Sequence, residues 1–180
     1  NLQALITANL PVKSIVVISN NPSASGLAVA QLHQIATHVI DHRCYLDREA
    51  FDAALAKQID NYRPDLIVLA GFMRIQGRLI NIHPSLLPSF PGLNTHARAL
   101  EQGVKIHGCT VHFVTNQLDH GPIIIQAAVP VFPDDTSDIL ANRILKQEHL
   151  VYPTAVRWFL EGRIKLKDGQ VKIPSILSLD

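Results

Sequence analysis

The stretch Asp65-Leu66-Ile67-Val68-Leu69-Ala70 carries the strongest signal for the fold, because its last five positions are all apolar. A strand with one face in water alternates apolar and polar residues, whereas a strand covered on both faces reads as a continuous apolar run. Pro64 ends the preceding element, so this run begins a new one. The stretch therefore predicts a parallel strand buried between layers of helices.

Upstream of this strand, short β-branched runs alternate with helical patterns. Apolar runs at residues 12–19 and 36–40 predict two further strands. Between them, residues 23–35 predict a helix with Ser23 or Ser25 as its N-cap. Strands that alternate with helices of this length are typical of a doubly wound parallel sheet.

A second helix is predicted just before the apolar strand. Phe51, Leu55 and Ile59 recur at fourfold spacing and so share one helical face. Asp47 can cap the first turn of this helix, which is expected to run to about residue 62.

The second half of the chain predicts a different order of elements. Residues 79–82 form a short strand that leads into a proline-rich loop. The elements expected after it are a helix at 95–102 ended by Gly103, strands at 109–114 and 123–131, a long helix at 137–160, and a hairpin turning on Asp168-Gly169. We therefore expect a single α/β domain over residues 1–180, an open twisted, mainly parallel sheet with helices on both faces. Its Rossmann-like N-terminal half covers about residues 1–78.

Composition narrows the class of protein. Of the 180 residues, 47% are hydrophobic and 17% are charged, which excludes a disordered chain. The formal net charge of +1 is too balanced for a protein that binds nucleic-acid phosphates. The longest apolar run, residues 66–73, is far shorter than the ~18 residues needed to span a membrane. No signal peptide is visible, and two cysteines are too few for a disulfide scaffold, so we expect a cytoplasmic protein.

Two features predict that residues are missing relative to a complete chain. The only methionine is Met73, so the chain does not start at an initiator methionine. Strands ending near Ala70 and beginning near Leu79 are also too close in sequence, because a parallel crossover needs at least ~10–12 residues. Either the two strands are not parallel neighbours or residues are absent between them, and we favour a gap near residues 75–78.

Histidines are concentrated in the middle of the chain, so a zinc site is the first chemistry to test. Five of the nine histidines lie between residues 83 and 120. No HExxH motif occurs, and the cysteines are isolated from one another. His107 and His112 differ by five positions, which places them on opposite faces of a continuous strand. We therefore expect no metal site.

Asn81 and His83 are two residues apart at the expected carboxyl end of a strand, the edge where open α/β sheets bind ligands. An amide and an imidazole side by side can donate two hydrogen bonds to one developing negative charge. Pro84 and Pro88 stiffen the loop that follows, which preserves such a geometry. The alternative interpretation is a turn with a buried, hydrogen-bonded asparagine and an incidental histidine.

Asp119 lies in the loop Leu118-Asp119-His120-Gly121-Pro122, before an apolar strand. A carboxylate there can accept or relay a proton, a role worth about 10²–10⁴ in rate, or it is an ordinary turn residue. No serine lies in a G-x-S-x-G elbow, Cys109 lies within an expected strand, and no G-x-G-x-x-G or P-loop motif occurs. An amide, an imidazole and a carboxylate without a nucleophile suit direct group transfer through a tetrahedral intermediate.

Four motifs in the second half closely resemble the folate-dependent phosphoribosylglycinamide formyltransferase family. These motifs are Asn81-Ile82-His83-Pro84-Ser85-Leu86-Leu87-Pro88, Pro91-Gly92-Leu93-Asn94-Thr95-His96, His107-Gly108-Cys109-Thr110-Val111-His112-Phe113-Val114 and Leu118-Asp119-His120-Gly121-Pro122. The likeness extends over nearly the whole chain and includes Leu69-Ala70-Gly71-Phe72-Met73-Arg74-Ile75, Gln147-Glu148-His149 and Tyr152-Pro153. The second motif and the near-neutral charge favour a small-molecule acceptor over methionyl-tRNA, the acceptor of a related formyltransferase.

The resemblance implies roles for the residues of the candidate site. Asn81 and His83 would stabilise the oxyanion that forms when an amine attacks the formyl carbon of 10-formyltetrahydrofolate. Asp119 would organise water, keep the imidazole suitably charged and assist proton transfer from the amine to the leaving folate nitrogen. His112 would have a supporting role near the site.

The resemblance also implies where the two substrates bind. The folate pocket is expected at the backbone of Met73, Arg74 and Ile75 and at the loop residues Thr115, Asn116, Gln117, Leu118 and Asp119. The ribonucleotide is expected to contact Asn1, Asn81 and Glu148.

This chain departs from the family pattern in three places. Only Asn1 is present of the Gly-Ser-rich loop whose backbone amides hold the substrate phosphate. The family has a helix in the segment where the crossover here is too short. His120 stands where a glycine is more usual in the family.

We therefore expect an enzyme that transfers a formyl group from 10-formyltetrahydrofolate to 5′-phosphoribosylglycinamide in de novo purine biosynthesis, without a metal. Residues 79–180 would form the catalytic and folate-binding half. The partners would be small molecules, with neither nucleic acid nor membrane, and the chain would be a monomer or a homodimer. The alternatives are a formyltransferase for another amine, such as a sugar nucleotide, and a non-catalytic folate- or nucleotide-binding module.

Overall fold

The computed structural model describes residues 1–70 and 79–173. The helices in this part of the chain are α1 (Leu2–Thr7), α2 (Ser25–Leu32), α3 (Arg48–Tyr62), α4 (Thr95–Glu101) and α5 (Ser137–Leu160), with a 3-10 turn at His42–Cys44. The strands are β1 (Val16–Ser19), β2 (Ala36–Val39), β3 (Ile67–Leu69), β4 (Leu79–His83), β5 (Ile106–Phe113), β6 (Ile123–Pro130), β7 (Lys165–Lys167) and β8 (Gln170–Lys172). No helix within the described ranges is long and apolar enough to cross a membrane.

The strands of the described residues form three hydrogen-bonded sheets. β1 and β2 pair in parallel. The largest sheet has the order β3-β4-β5-β6, in which β3 and β4 are parallel and β5 is antiparallel to both of its neighbours. β7 and β8 form the predicted hairpin, which turns on Asp168 and Gly169, both at positive φ. The predicted α/β class is confirmed, and the second half adds antiparallel strands to the parallel pairs of the first.

Strand β3 is covered on both faces, as its continuous apolar run predicted. Ile67 packs against the cluster that Phe51 and Leu55 of α3 contribute to. Its neighbour Val68 packs against a different cluster, which contains Tyr152 of α5. Since successive strand residues face opposite sides, α3 and α5 cover opposite faces of the sheet at β3.

The parallel pairing of β3 with β4 excludes one of the two interpretations of the short crossover. Ile67 lies opposite Leu79 in the register of the two strands. The interpretation that these strands are not parallel neighbours is therefore wrong. The predicted gap near residues 75–78 falls in the segment 71–78, which lies outside the described residues.

Tyr152 fastens α5 to both of these strands. Its hydroxyl donates to the carbonyl oxygen of Leu69 at 2.6 Å and lies 3.1 Å from the carbonyl oxygen of Ile80. The side chain is fully buried, and this burial raises the pKa of its phenol well above the ordinary value. The hydroxyl therefore stays a neutral donor between the two strands.

The predicted helix boundaries are confirmed for α3 and corrected for α2. The Asp47 carboxylate accepts a hydrogen bond from the Ala50 amide and so caps α3 as expected. Helix α2 covers a shorter range than the predicted 23–35, and its N-cap is Ala24 instead of Ser23 or Ser25. Ser25 is already the first helical residue, so its hydroxyl cannot serve as the cap.

Two strands begin elsewhere than the apolar pattern predicted. β1 starts at Val16, because residues 12–15 are exposed and make no strand pairing. β5 starts at Ile106, three residues before the predicted position, and it includes the buried His107. This longer strand pairs with β6 from Ile106 to His112.

Candidate active site

Strand β4 places Asn81 and His83 on one face at its carboxyl end, as predicted from their spacing. His83 is buried and Asn81 is half-buried. The loop that follows β4 returns to this end of the strand and supplies the partners of the imidazole. The side chains that sequence spacing brought together are therefore also together in the structure.

Both ring nitrogens of His83 face protein acceptors. Nε2 lies 3.0 Å from the carbonyl oxygen of Phe90. Because a carbonyl can only accept, Nε2 must carry a proton. Nδ1 lies 3.5 Å from Oδ2 of Asp119, a longer separation than an ordinary hydrogen bond. With Nε2 committed to Phe90, Nδ1 is the nitrogen that can serve a reacting group.

Asp119 reaches His83 from the loop between β5 and β6. Its backbone is left-handed, with φ of 52°, a conformation that aspartate tolerates better than most side chains. Oδ2 accepts a hydrogen bond of 2.8 Å from the amide of Gly92. The side chains of His83 and Asp119 are 8% and 7% exposed, so little water screens the attraction between them. His83 and Asp119 of the predicted trio are thus adjacent, and Asn81 lies on the same face of β4 as His83.

His112 lies directly opposite Asn81 in the antiparallel pairing of β4 with β5. Its Nδ1 is 2.9 Å from the carbonyl oxygen of Phe113, so Nδ1 carries the proton and Nε2 keeps a lone pair. Nε2 is buried and has no hydrogen-bond partner among the described residues. Burial lowers the pKa of this imidazole, although the nearby Asp119 carboxylate opposes the shift. His112 is therefore a neutral acceptor beside the asparagine amide.

Two further histidines lie next to the site, and sequence reasoning considered them only as metal ligands. The rings of His96 and His107 meet edge to face at 5.5 Å, and His107 meets Phe90 in the same way at 5.5 Å. Burial lowers the pKa of His107 to about 4, and it lowers that of His96 as well. In the part of the chain that the structure describes, no group of histidine, cysteine or acidic side chains could hold a metal ion.

A network of buried hydroxyl and amide groups fixes the loop after His83. The Thr110 hydroxyl on β5 donates to the Ser85 carbonyl oxygen at 2.7 Å and accepts from the Leu87 amide at 3.0 Å. Gln126 on β6 donates to the Leu87 carbonyl oxygen at 2.9 Å. The loop is therefore held by the neighbouring strands as well as by its prolines, which were the only stiffening elements that the sequence indicated.

Asn1 and Glu148, predicted to contact one substrate, also contact each other. The Asn1 amide donates to Glu148 Oε2 at 2.7 Å, and Glu148 is only 7% exposed. The Asn1 side-chain oxygen is buried without a partner among the described residues.

The structure places only part of the predicted folate pocket. Thr115, Asn116, Gln117 and Leu118 form an exposed loop that leads from β5 to Asp119, and His120 after it is exposed too. Met73, Arg74 and Ile75 lie outside the described residues. The folate pocket therefore stays a prediction.

The chain is similar to known formyl transferases over most of its length. Residues 1–156 match the formyl transferase family. The phosphoribosylglycinamide formyltransferase of Escherichia coli is 49% identical over a match that includes 94% of this chain and 86% of the relative. That match extends over 182 positions, more than this chain has residues, so the relative contains internal residues that this chain lacks. The trifunctional purine biosynthetic protein adenosine-3 of Drosophila melanogaster is 46% identical, and the chain spans 13% of its length.

A solved structure shows the same architecture. The glycinamide ribonucleotide transformylase 1 of Symbiobacterium toebii superposes with a TM-score of 0.91 at 46% identity, covering 97% of this chain and 88% of that one. Together with the family match over residues 1–156, this agreement in sequence and structure shows that the chain belongs to the formyl transferase family.

Proposed function

We propose that this chain transfers the formyl group of 10-formyltetrahydrofolate to the amine of 5′-phosphoribosylglycinamide in purine biosynthesis. The observation that carries the proposal is the buried His83–Asp119 contact at the end of the strand that presents Asn81. The identity of 49% with the Escherichia coli phosphoribosylglycinamide formyltransferase supports the same reaction.

In this mechanism, Asn81 and His83 stabilise the charge that develops on the formyl oxygen. The substrate amine attacks the formyl carbon, a carbon–nitrogen bond forms, and the carbonyl electron pair moves onto the oxygen. The Asn81 amide and the His83 Nδ1–H lie on one face of β4 and can both donate to that oxygen. Because Nδ1 lies 3.5 Å from Asp119, it makes no short hydrogen bond there and can donate to the substrate oxygen while Nε2 stays bound to Phe90.

Asp119 has two roles: it stabilises positive charge on His83, and it helps to transfer a proton between the reacting groups. When His83 carries a proton on both nitrogens, Nε2–H donates to the Phe90 carbonyl oxygen, Nδ1–H faces the Asp119 carboxylate, and Asp119 stabilises the positive charge. The proton lost by the attacking amine must reach the folate N10 as the bond between N10 and the formyl carbon breaks. A carboxylate next to the reacting groups, alone or through one water, can carry that proton.

The ribonucleotide binds on the side of Asn1 and Glu148. The Asn1 side-chain oxygen is a buried acceptor without a partner among the described residues, and the Glu148 carboxylate beside it is a second acceptor, which suits the hydroxyl and amine donors of the ribonucleotide. The exposed loop at residues 115–118 contacts the folate, and residues 73–75 complete that pocket.

The central test compares His83→Ala and Asp119→Asn with the unaltered chain in a formyl-transfer assay that follows formation of tetrahydrofolate. Loss of one oxyanion donor is expected to lower kcat about 10²- to 10³-fold. His33→Ala serves as the control, because His33 is an exposed residue that directly follows α2 and lies outside the site. If neither site variant loses turnover while folate still binds, the chain is a non-catalytic binding module and the proposal fails.

Substrate profiling separates the proposed acceptor from another amine. We expect formylation of 5′-phosphoribosylglycinamide and none of an amino sugar nucleotide. The opposite pattern would assign the chain to a formyltransferase of sugar nucleotides. A cytoplasmic location, inferred from the low cysteine content, and a monomeric or homodimeric state stay predictions.

A further inference from the structure

The backbone of residues 90–92, here called the 90–92 segment, binds both members of the His83–Asp119 pair. Its first carbonyl oxygen, from Phe90, accepts from His83 Nε2 at 3.0 Å. Its last amide, from Gly92, donates to Asp119 Oδ2 at 2.8 Å. One short stretch of backbone therefore sets both the proton position on the imidazole and the direction of the carboxylate.

The 90–92 segment adopts a conformation that its sequence disfavours. Phe90 has φ of 54°, a left-handed backbone that is unusual for a bulky aromatic residue. It also precedes Pro91, and a residue before proline prefers an extended backbone. Gly92 has φ of 77°, which glycine adopts without strain. Such a conformation persists only when the surrounding structure holds it, and such cases cluster at functional sites.

Arg98 is the side chain that holds the segment from outside. Its Nη1 donates to the Pro91 carbonyl oxygen at 2.5 Å, and its guanidinium lies 5.7 Å from the centre of the Phe90 ring. His107 packs against the same ring at 5.5 Å. The helix that carries Arg98 is itself anchored, because the buried Thr95 hydroxyl donates to the Pro84 carbonyl oxygen at 2.7 Å.

We infer that Arg98 is a positioning residue for formyl transfer. It keeps the 90–92 segment in its left-handed conformation, and the segment in turn holds His83 and Asp119 in the geometry that the reaction uses. Arg98 touches neither reacting group, so its removal would change the alignment of the pair and leave the substrate contacts in place. This inference rests on the catalytic roles proposed above for His83 and Asp119.

The kinetic test replaces Arg98 with methionine and with lysine. Arg98→Met keeps the length of the aliphatic side chain but loses the hydrogen bond and the stacked cation, so kcat should fall about 10- to 100-fold. The KM of both substrates should stay within about threefold. Arg98→Lys keeps the charge and one donor but not the planar stacking, and its kcat should lie between those of the other two proteins.

A control is available in Arg143 on α5, which also donates to a carbonyl oxygen and lies over a phenylalanine ring, and which in addition forms an ion pair with Asp135. Its Nη1 donates to the Pro130 carbonyl oxygen at 2.8 Å, and its guanidinium lies 4.6 Å from the Phe132 ring. Arg143→Met should lower stability and leave kcat within about twofold of the unaltered chain. An Arg98→Met kcat no lower than that of Arg143→Met would overturn the inference. If Arg98→Met does not fold, an unchanged kcat in Arg98→Lys would overturn it equally.

The second readout is the ¹⁵N spectrum of the His83 ring in protein labelled at histidine. In the unaltered chain, Nε2 should show the shift of a protonated nitrogen because it donates to Phe90. In Arg98→Met this signal should move toward the shift of a nitrogen that carries no proton. A fall in kcat with an unchanged His83 spectrum would place Arg98 in another step and would also refute the inference. If His83→Ala and Asp119→Asn keep full activity, the proposed catalytic roles fail instead, whatever Arg98→Met does.

Discussion

Replacing His107 with phenylalanine should remove a large part of the chain's sensitivity to acid. His107 is 1% exposed, and neither of its ring nitrogens has a hydrogen-bond partner among the described residues. Its ring neighbours are Phe90 and His96, which meet it edge to face and carry no carboxylate that could compensate a positive charge. Desolvation therefore lowers its pKa from 6.5 to about 4, with smaller contributions from His96 and His83.

The size of the effect follows from the difference between the pKa of His107 in the folded chain and its pKa in the unfolded chain. In the unfolded chain His107 takes up its proton near pH 6.5, whereas in the folded chain it does so only near pH 4. Above pH 6.5 His107 is neutral in both the folded and the unfolded chain, so it does not change the free energy of unfolding. As the pH falls from 6.5 toward 4, only the unfolded state binds the proton, so the free energy of unfolding decreases. Between about pH 7.5 and about pH 4.5 the loss is about 2.5 kcal/mol.

Urea unfolding of both proteins at these two pH values measures the effect. His107→Phe should lose about 2.5 kcal/mol less stability than the unaltered chain over this interval. Comparing each protein with itself cancels any change in packing that the larger ring causes. The contributions of His96 and His112, whose pKa values burial lowers too, are present in both proteins and cancel when the two pH profiles are subtracted. His33→Gln, a change at an exposed histidine, should leave the pH profile unaltered.

A difference below about 1 kcal/mol between the two profiles would refute this reasoning. It would show that His107 accepts a proton in the folded state at nearly its ordinary pH. The cluster around Phe90 would then tolerate a charge, and the neutral ring packing described here would be wrong.

Three further substitutions test other contacts. Tyr152→Phe removes the hydroxyl that reaches the Leu69 carbonyl oxygen, so urea unfolding should show a loss of about 1–2 kcal/mol with kcat unchanged. Thr110→Val leaves the buried groups around its hydroxyl unpaired, and thermal unfolding should give a loss of about 1–3 kcal/mol; an unchanged Tm would contradict the network. Gly121→Ala would place a Cβ 1.6 Å from the Phe113 carbonyl oxygen, so the Asp119 loop must move and kcat should fall at least about tenfold; full activity would show that the junction adapts.

The fold was predictable wherever local chemistry and packing agreed. Helix α3 has an aspartate cap and three apolar residues on one face, and both features act within a few residues of each other. The start of β5 was not predictable, because Ile106 is 60% exposed and His107 is polar although fully buried. That strand is extended by its pairing with β6, a partner distant in sequence, and no periodicity of its own residues reports such a pairing.

The side chains of the candidate site could be predicted from the sequence, whereas the backbone groups that hold them could not. Asn81 and His83 share a face of β4 because side chains alternate along a strand, and their spacing of two residues can be read from the sequence. Every residue has a backbone carbonyl, and every residue except proline has a backbone amide N–H. The sequence therefore does not mark those of Phe90 and Gly92 as the partners of His83 and Asp119. Their role becomes visible only through the left-handed backbone at residue 90. The sequence predicted a proline-rich loop here but not where the polar groups of its backbone would point.

Strand β3 also bears on how the protein behaves at high concentration. Within the described part of the chain, β3 pairs with β4 along one edge only, and residues 66–70 are uncharged, apolar and free of proline. Such a segment is a template for pairing with other chains once it is uncovered. What shields it is the packing of α3 on one face and α5 on the other. Self-association on storage or heating should therefore follow the local opening of the helices that cover this strand.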